Sequence, residues 1–230
     1  MSQKKVSVEG IGPLILMRRK NNKNIRISIS PSGVVKIWMP PLMPYAIAIG
    51  YAKHKAEWIN KHRPAIPMIR NNTNVGKAHH IIFREGKSLR SSSVSNNIII
   101  WMPAGSLYTD ENVQKLANTA TVRILKKESV QLLPPKLKFL AEKHEFEYKS
   151  VVIKKLSSRW GSCDSSKNIT LNCYLMELPW NLIDYVLLHE LVHTRVMAHG
   201  KKFWSELDKY VTDLPNARKS IKQYKPTLEM

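Results

Sequence analysis

The chain has 230 residues, 43% of them hydrophobic and 23% charged, which is the composition of a soluble globular protein with one domain or two small ones. No apolar run approaches the roughly 20 residues of a membrane span. The basic start, residues 1–5, meets Glu9 and Gly10 before any apolar run, so no secretory signal is expected and the chain reads as cytoplasmic. Two cysteines, Cys163 and Cys173, are too few for a disulfide framework and read as reduced, packed thiols.

The net charge is +20, spread unevenly: residues 1–100 hold 17 Lys and Arg against 3 Glu, and residues 101–230 hold 20 against 14 acidic residues. A basic N-terminal half points to an anionic partner such as nucleic acid. A solvated basic surface is the plainer reading, because charge alone says nothing about fold or chemistry.

Leu14 to Met17 is a short apolar run that reads as a strand, and Arg18 to Asn24 reads as a polar turn. Ile25 to Ile29 alternates apolar and polar residues, as a half-buried strand does. A turn at Pro31–Gly33 leads to a partner strand, Val34 to Met39, stopped by Pro40-Pro41. The period then lengthens: Tyr45, Ile49, Ala52, Ala56 and Ile59 fit one helix ending near Arg63-Pro64. Residues 1–70 therefore read as a basic β-hairpin plus helix. An Asn-rich joint at 70–77 leads into a second region, 71–230, unless the two form one compact domain.

His79 to Arg84 and Ile98 to Met102 read as strands flanking a Ser-rich turn, Ser88 to Asn97. Asp110 is the expected N-cap of a long helix over Glu111 to Leu133, which Pro134-Pro135 should break or kink before a second helical piece, Lys136 to His144. Val151 to Ile153 is a strand, Trp160–Cys163 and Ile169–Leu175 form a hairpin, and Pro179 opens the next helix. The sequence shows no internal repeat. Short strands mixed with helices predict an α+β fold.

His189-Glu190-Leu191-Val192-His193 is an HExxH motif. Residues i and i+4 lie one above the other on a helix face, so both imidazoles reach one metal. Glu190 projects about 100° away and is placed to hold the attacking water instead. A catalytic zinc site keeps three protein ligands and one open position. His199, six residues on, supplies the third if the helix ends near Val196, and Gly200 gives the turn freedom. Glu206 is the alternative third ligand; His199 is preferred as nearer and as completing the ligand spacing of the metzincins. Val196 stands where metzincins carry glycine, so a metzincin is not assigned. Phe203, Leu207, Tyr210 and Val211 predict a short amphipathic helix that packs on the motif helix and fixes His199. Tyr185, Arg159 and Tyr210 are candidate oxyanion donors.

Ser158-Arg159-Trp160-Gly161-Ser162-Cys163, Ile169-Thr170-Leu171-Asn172, Ile183-Asp184-Tyr185-Val186, the HExxH motif and His199-Gly200-Lys201-Lys202-Phe203-Trp204 occur in this order. Together they resemble the YgjP-like metallopeptidase family, most strongly over residues 150–212. The resemblance implies a zincin-like core and a zinc-dependent peptidase. It also implies one Zn2+ on His189, His193 and His199, with Glu190 as base and a peptide or protein as substrate. The His-x5-His extension with its following Phe also resembles SprT-like and WLM proteases, which act on DNA-bound proteins. Val192 and Val196 depart from the family, whose members often carry Cys or Ala, and a polar residue, at these positions. The competing readings are a DNA-associated zinc protease, a basic nucleic-acid-binding protein with a vestigial metal site, and a zinc hydrolase of non-peptide amides.

Overall fold

A computed structural model describes residues 3–20, 22–29, 34–63 and 68–226. The architecture is mixed α+β, and the chain divides into two compact units, Met1–Pro67 and Met68–Met230.

The first unit is a four-stranded sheet with two helices. Strands β1 (Gln3–Val8), β2 (Gly12–Arg18), β3 (Arg26–Ile29) and β4 (Val35–Met39) take the order β1-β2-β4-β3. The two outer pairs are antiparallel and the central β2–β4 pair is parallel. Val35, Ile37 and Met39 are fully buried while Lys36 and Trp38 are not, the period-two alternation of a one-faced strand. β1 had no sequence signal. It is an edge strand, largely exposed, and its Gln-Lys-Lys start has a loop's composition. The single helix expected from Tyr45 onward is two, α1 (Tyr45–His54) and α2 (Ala56–His62), broken at Lys55. Pro31–Gly33 and Pro64 lie outside the described residues.

The second unit opens with a sheet of the same design. Strands β5 (Asn74–Val75), β6 (His79–Glu85), β7 (Arg90–Val94) and β8 (Asn97–Met102) follow the order β5-β6-β8-β7, again antiparallel outside and parallel between β6 and β8. The topology thus repeats where the sequence does not. The Ser-rich stretch is strand β7 rather than a turn. It is an edge strand paired with β8, and Trp101 Nε1 donates to Ser92 Oγ at 2.9 Å. The turn contracts to Ser95-Asn96, with Ser95 at φ 53°.

Helix α3 runs unbroken over Glu111–Lys143, through Pro134 and Pro135. These prolines leave the carbonyls of Val130 and Gln131 without helical donors. Both residues are exposed, so water can satisfy those carbonyls, while Leu133, Leu137 and Leu140 stay buried and hold the helix on the core. Asp110 occupies the N-cap position but does not cap; its Oδ2 accepts from Leu107 N at 3.0 Å. Gly76, at φ 62°, passes so close to the buried Glu128 carboxylate that a Cβ would lie 2.0 Å from Oε2. Glu128 in turn accepts from Lys77 N, Ala78 N and His79 Nδ1.

A second sheet, order β10-β11-β9, joins β9 (Ser150–Lys154), β10 (Gly161–Cys163) and β11 (Asn168–Asn172). β11 pairs antiparallel with β10 and parallel with β9, leaving β10 at the edge. A 3-10 turn (Cys173–Glu177) replaces the expected end of the hairpin strand and leads to α4 (Trp180–His193), α5 (Lys201–Asp208) and α6 (Leu214–Ser220). Among the described residues no helix is long and apolar enough to cross a membrane.

Candidate metal centre

Helix α4 is buried on nearly every side, with Ile183, Leu187, Leu191 and Val192 fully enclosed. Two histidines and a glutamate in such a helix carry a desolvation cost that calls for a partner. His189 and His193 sit one turn apart, with their Nε2 atoms 3.2 Å from each other. The helix stops at His193, three residues earlier than the sequence reading placed its end. The chain then turns, and His199 returns with its Nε2 3.1 Å from that of His193 and 3.0 Å from that of His189.

Arg195 fixes this turn. Its guanidinium donates to the carbonyl oxygens of His144 and Glu145 beyond the end of α3, to Glu206 in α5 and to Tyr210 just after it, and it lies over the Phe146 ring. Glu206, the alternative ligand, is committed to Arg195, Lys209 and Tyr210 and lies outside the histidine cluster. Helix α5 packs on α4 as the amphipathic pattern predicts, but it ends at Asp208, short of Tyr210 and Val211. Phe203 is fully buried, with its ring 4.5–4.8 Å from all three imidazole centroids. Trp204 Nε1 donates to His199 O at 3.0 Å, and its ring stacks on the His199 imidazole.

The nitrogen triangle fits a tetrahedral metal. Ligand bonds of about 2.05 Å place neighbouring nitrogens about 3.3 Å apart, close to the 3.0–3.2 Å found. His193 Nδ1 lies 3.2 Å from Val196 O and donates to it, which leaves Nε2 a lone pair facing the other two rings. Burial, then the neighbouring His193 and His199, push the His189 pKa down to about 3, and burial lowers that of His193 too. His189 and His193 are therefore neutral donors, and the three rings are held around one point.

Glu190 points off this face and is 4% exposed. Burial raises its pKa to about 8, against a lowering influence from Arg159. Its Oε2 is buried without a hydrogen-bond partner. Gly161 is pressed against it: a Cβ there would lie 2.7 Å from Glu190 Oε1 and 2.8 Å from Cγ. The sequence flagged Trp160-Gly161 within a motif but gave no hint of that contact, which joins an edge strand to a helix.

The cluster opens into a cleft of about 520 Å³. Arg159 and Tyr185 border it; Tyr210 does not, and lines a separate cavity beside Asp184 and Asn216. Met197 and Ile221 also line the cleft, which the sequence did not show. Cys163 lines it as well, with a thiol that burial, Glu190 and Asp164 push up to about 11, so it stays protonated. Asn172 does not reach the cleft. Fully buried, it accepts from Leu156 N and Tyr174 N and donates to the carbonyls of Leu156, Arg159 and Pro226. Asn172→Leu orphans those groups at about 1–3 kcal/mol each. Thermal melts should therefore show a fall of many degrees, and an unchanged Tm would mean the Arg159 loop is held by other contacts.

The model of the YgjP-like metallopeptidase domain matches residues 23–224. The chain belongs to the YgjP-like family. It is accordingly a zinc metallopeptidase, a hydrolase whose substrate is a peptide or protein. No curated protein matches this YgjP-like chain. Among solved structures it is similar to the metallopeptidase zymogen abylysin of Pyrococcus abyssi, with 22% identity and a TM-score of 0.36 over 40% of this chain and 90% of that one. It is also similar to the zymogen jannalysin of Methanocaldococcus jannaschii, with 27% identity and a TM-score of 0.33 over 38% of this chain and 86% of that one.

Proposed function

We propose that His189, His193 and His199 hold one zinc ion per chain and that Glu190 is the general base for peptide-bond hydrolysis. We assign this work to residues 71–230, with residues 1–70 a separate basic region. The observation that carries the reading is the triangle of Nε2 atoms, 3.0–3.2 Å on each side, beside a buried carboxylate with an unpartnered oxygen. Zinc supplies Lewis acidity when bound, polarising a carbonyl and acidifying water. Glu190, kept ionised by the positive charge of a bound metal, takes the proton of the attacking water on its carboxylate and delivers it to the leaving amine. Arg159 and Tyr185 border the cleft and can donate hydrogen bonds to the developing oxyanion. Gly161, Ser162 and Cys163 of edge strand β10 line the cleft, so an extended peptide can add to the sheet there.

The test is digestion of an unfolded protein, with a panel of small amides in parallel. Cleavage of the polypeptide should stop on chelation and return with added zinc. Hydrolysis of small amides alone would move the chain to non-peptide chemistry, and chelator-insensitive cleavage would remove the metal from the mechanism.

A further inference from the structure

The N-terminal unit carries an unusual excess of charge: residues 1–67 hold 12 Lys and Arg against Glu9 and Glu57. Among its described residues no ion pair forms; every salt bridge between described residues lies in the second unit. Part of this excess converges. The loop between β2 and β3 borders an open surface cavity of about 340 Å³ lined by Arg19, Asn22, Lys23, Asn24 and Arg26. Its wall is made of cations and amides, with no carboxylate.

We propose that this cavity binds the phosphate backbone of nucleic acid. The loop is held at both ends by the sheet: Arg19 N donates to Met39 O at 3.1 Å, and Arg26 stands opposite Trp38 in the β3–β4 register. Asn22 N closes a turn onto Arg19 O, and Arg19 lies 5.9 Å from the centre of the Trp38 ring. Asn22 Nδ2 is buried with no hydrogen-bond partner, a donor that a bound oxyanion would satisfy. Three cations around one cavity repel one another unless an anion sits between them. Guanidinium forks match phosphate oxygens. A polyanion with evenly spaced charges also suits the excess that continues over the unit, which one acidic side chain would leave unmatched. Among the described residues that line the cavity there is no aromatic ring, so contact is with the backbone and binding is independent of sequence.

The test is fluorescence anisotropy of the full chain with a short labelled DNA duplex of arbitrary sequence. Three phosphate contacts give a log–log salt slope of about −2.7, so a fourfold rise in salt should weaken binding by about 40-fold. Combined Arg19→Ala, Lys23→Ala and Arg26→Ala should weaken binding by at least about tenfold and flatten the slope. Combined Lys53→Ala, Lys55→Ala and Lys61→Ala, which removes the same charge from α1, α2 and the break between them, should change it by less than about threefold. Equal losses in the two variants would make the effect one of diffuse charge and overturn the site. Unchanged affinity in the cavity variant would do the same, and equally tight binding of polyglutamate would reassign the site to acidic polypeptides. Should the triple cavity variant misfold, Lys23→Glu alone decides. Its side chain is exposed, so wild-type circular dichroism with weakened binding supports the site, and undiminished binding overturns it.

Discussion

Glu190→Gln is expected to keep its zinc and to lose about 10²- to 10⁴-fold in kcat, the usual contribution of a positioned acid–base group. The substitution is nearly isosteric, so the contact with Gly161 and the packing of α4 persist. What disappears is the ability to accept a proton, because an amide oxygen is a very weak base. The Glu190 side chain is buried, 4% exposed, which gives bulk water little access to take over the task. The measurement is turnover of a peptide substrate per zinc bound, which separates chemistry from metal loss. Turnover within a few-fold of wild type would remove Glu190 from the role of base.

The second large effect is expected at a residue with no side chain. Gly161→Ala places a methyl group 2.7 Å from Glu190 Oε1 and 2.9 Å from its carboxyl carbon, so the carboxylate must move. Glu190 projects from a helix whose other faces are packed, which leaves it little room to retreat. A displacement on the order of 1 Å at a reacting group costs about 10²-fold. The expected result is zinc at the wild-type level with kcat reduced by about that factor. Wild-type turnover would show that Glu190 has freedom the structure does not reveal, and that Gly161 serves only the strand.

The clearest part of the sequence was the stretch in which chemistry and local geometry coincide. His189 and His193 share a face because of helical periodicity, and His199 lies within reach of a short turn, so their meeting could be read from spacing alone. Rejecting Glu206 could not. Its partner Arg195 is held by carbonyls some 50 residues earlier, a contact that no local pattern encodes. The elements misread were those in which tertiary packing outweighed local preference. Pro134-Pro135 sit within a continuous helix because the residues whose carbonyls they abandon, Val130 and Gln131, are exposed, so water can replace the lost donors. The Ser-rich segment became strand β7 because β8 offered it an edge. β1 was hidden by lysines that an exposed edge strand tolerates. The repeated sheet design is not legible in the sequence for a related reason: strand order and direction are set by backbone pairing, which different side-chain patterns can support equally well.

Zinc content bears most directly on the central assignment. Elemental analysis of the purified chain, after loosely bound metal has been removed, should give about one zinc per chain, and His199→Ala should lose most of it while staying folded. A folded chain that takes up no transition metal when zinc is supplied would contradict the assignment, as would a His199→Ala variant that retains its full complement.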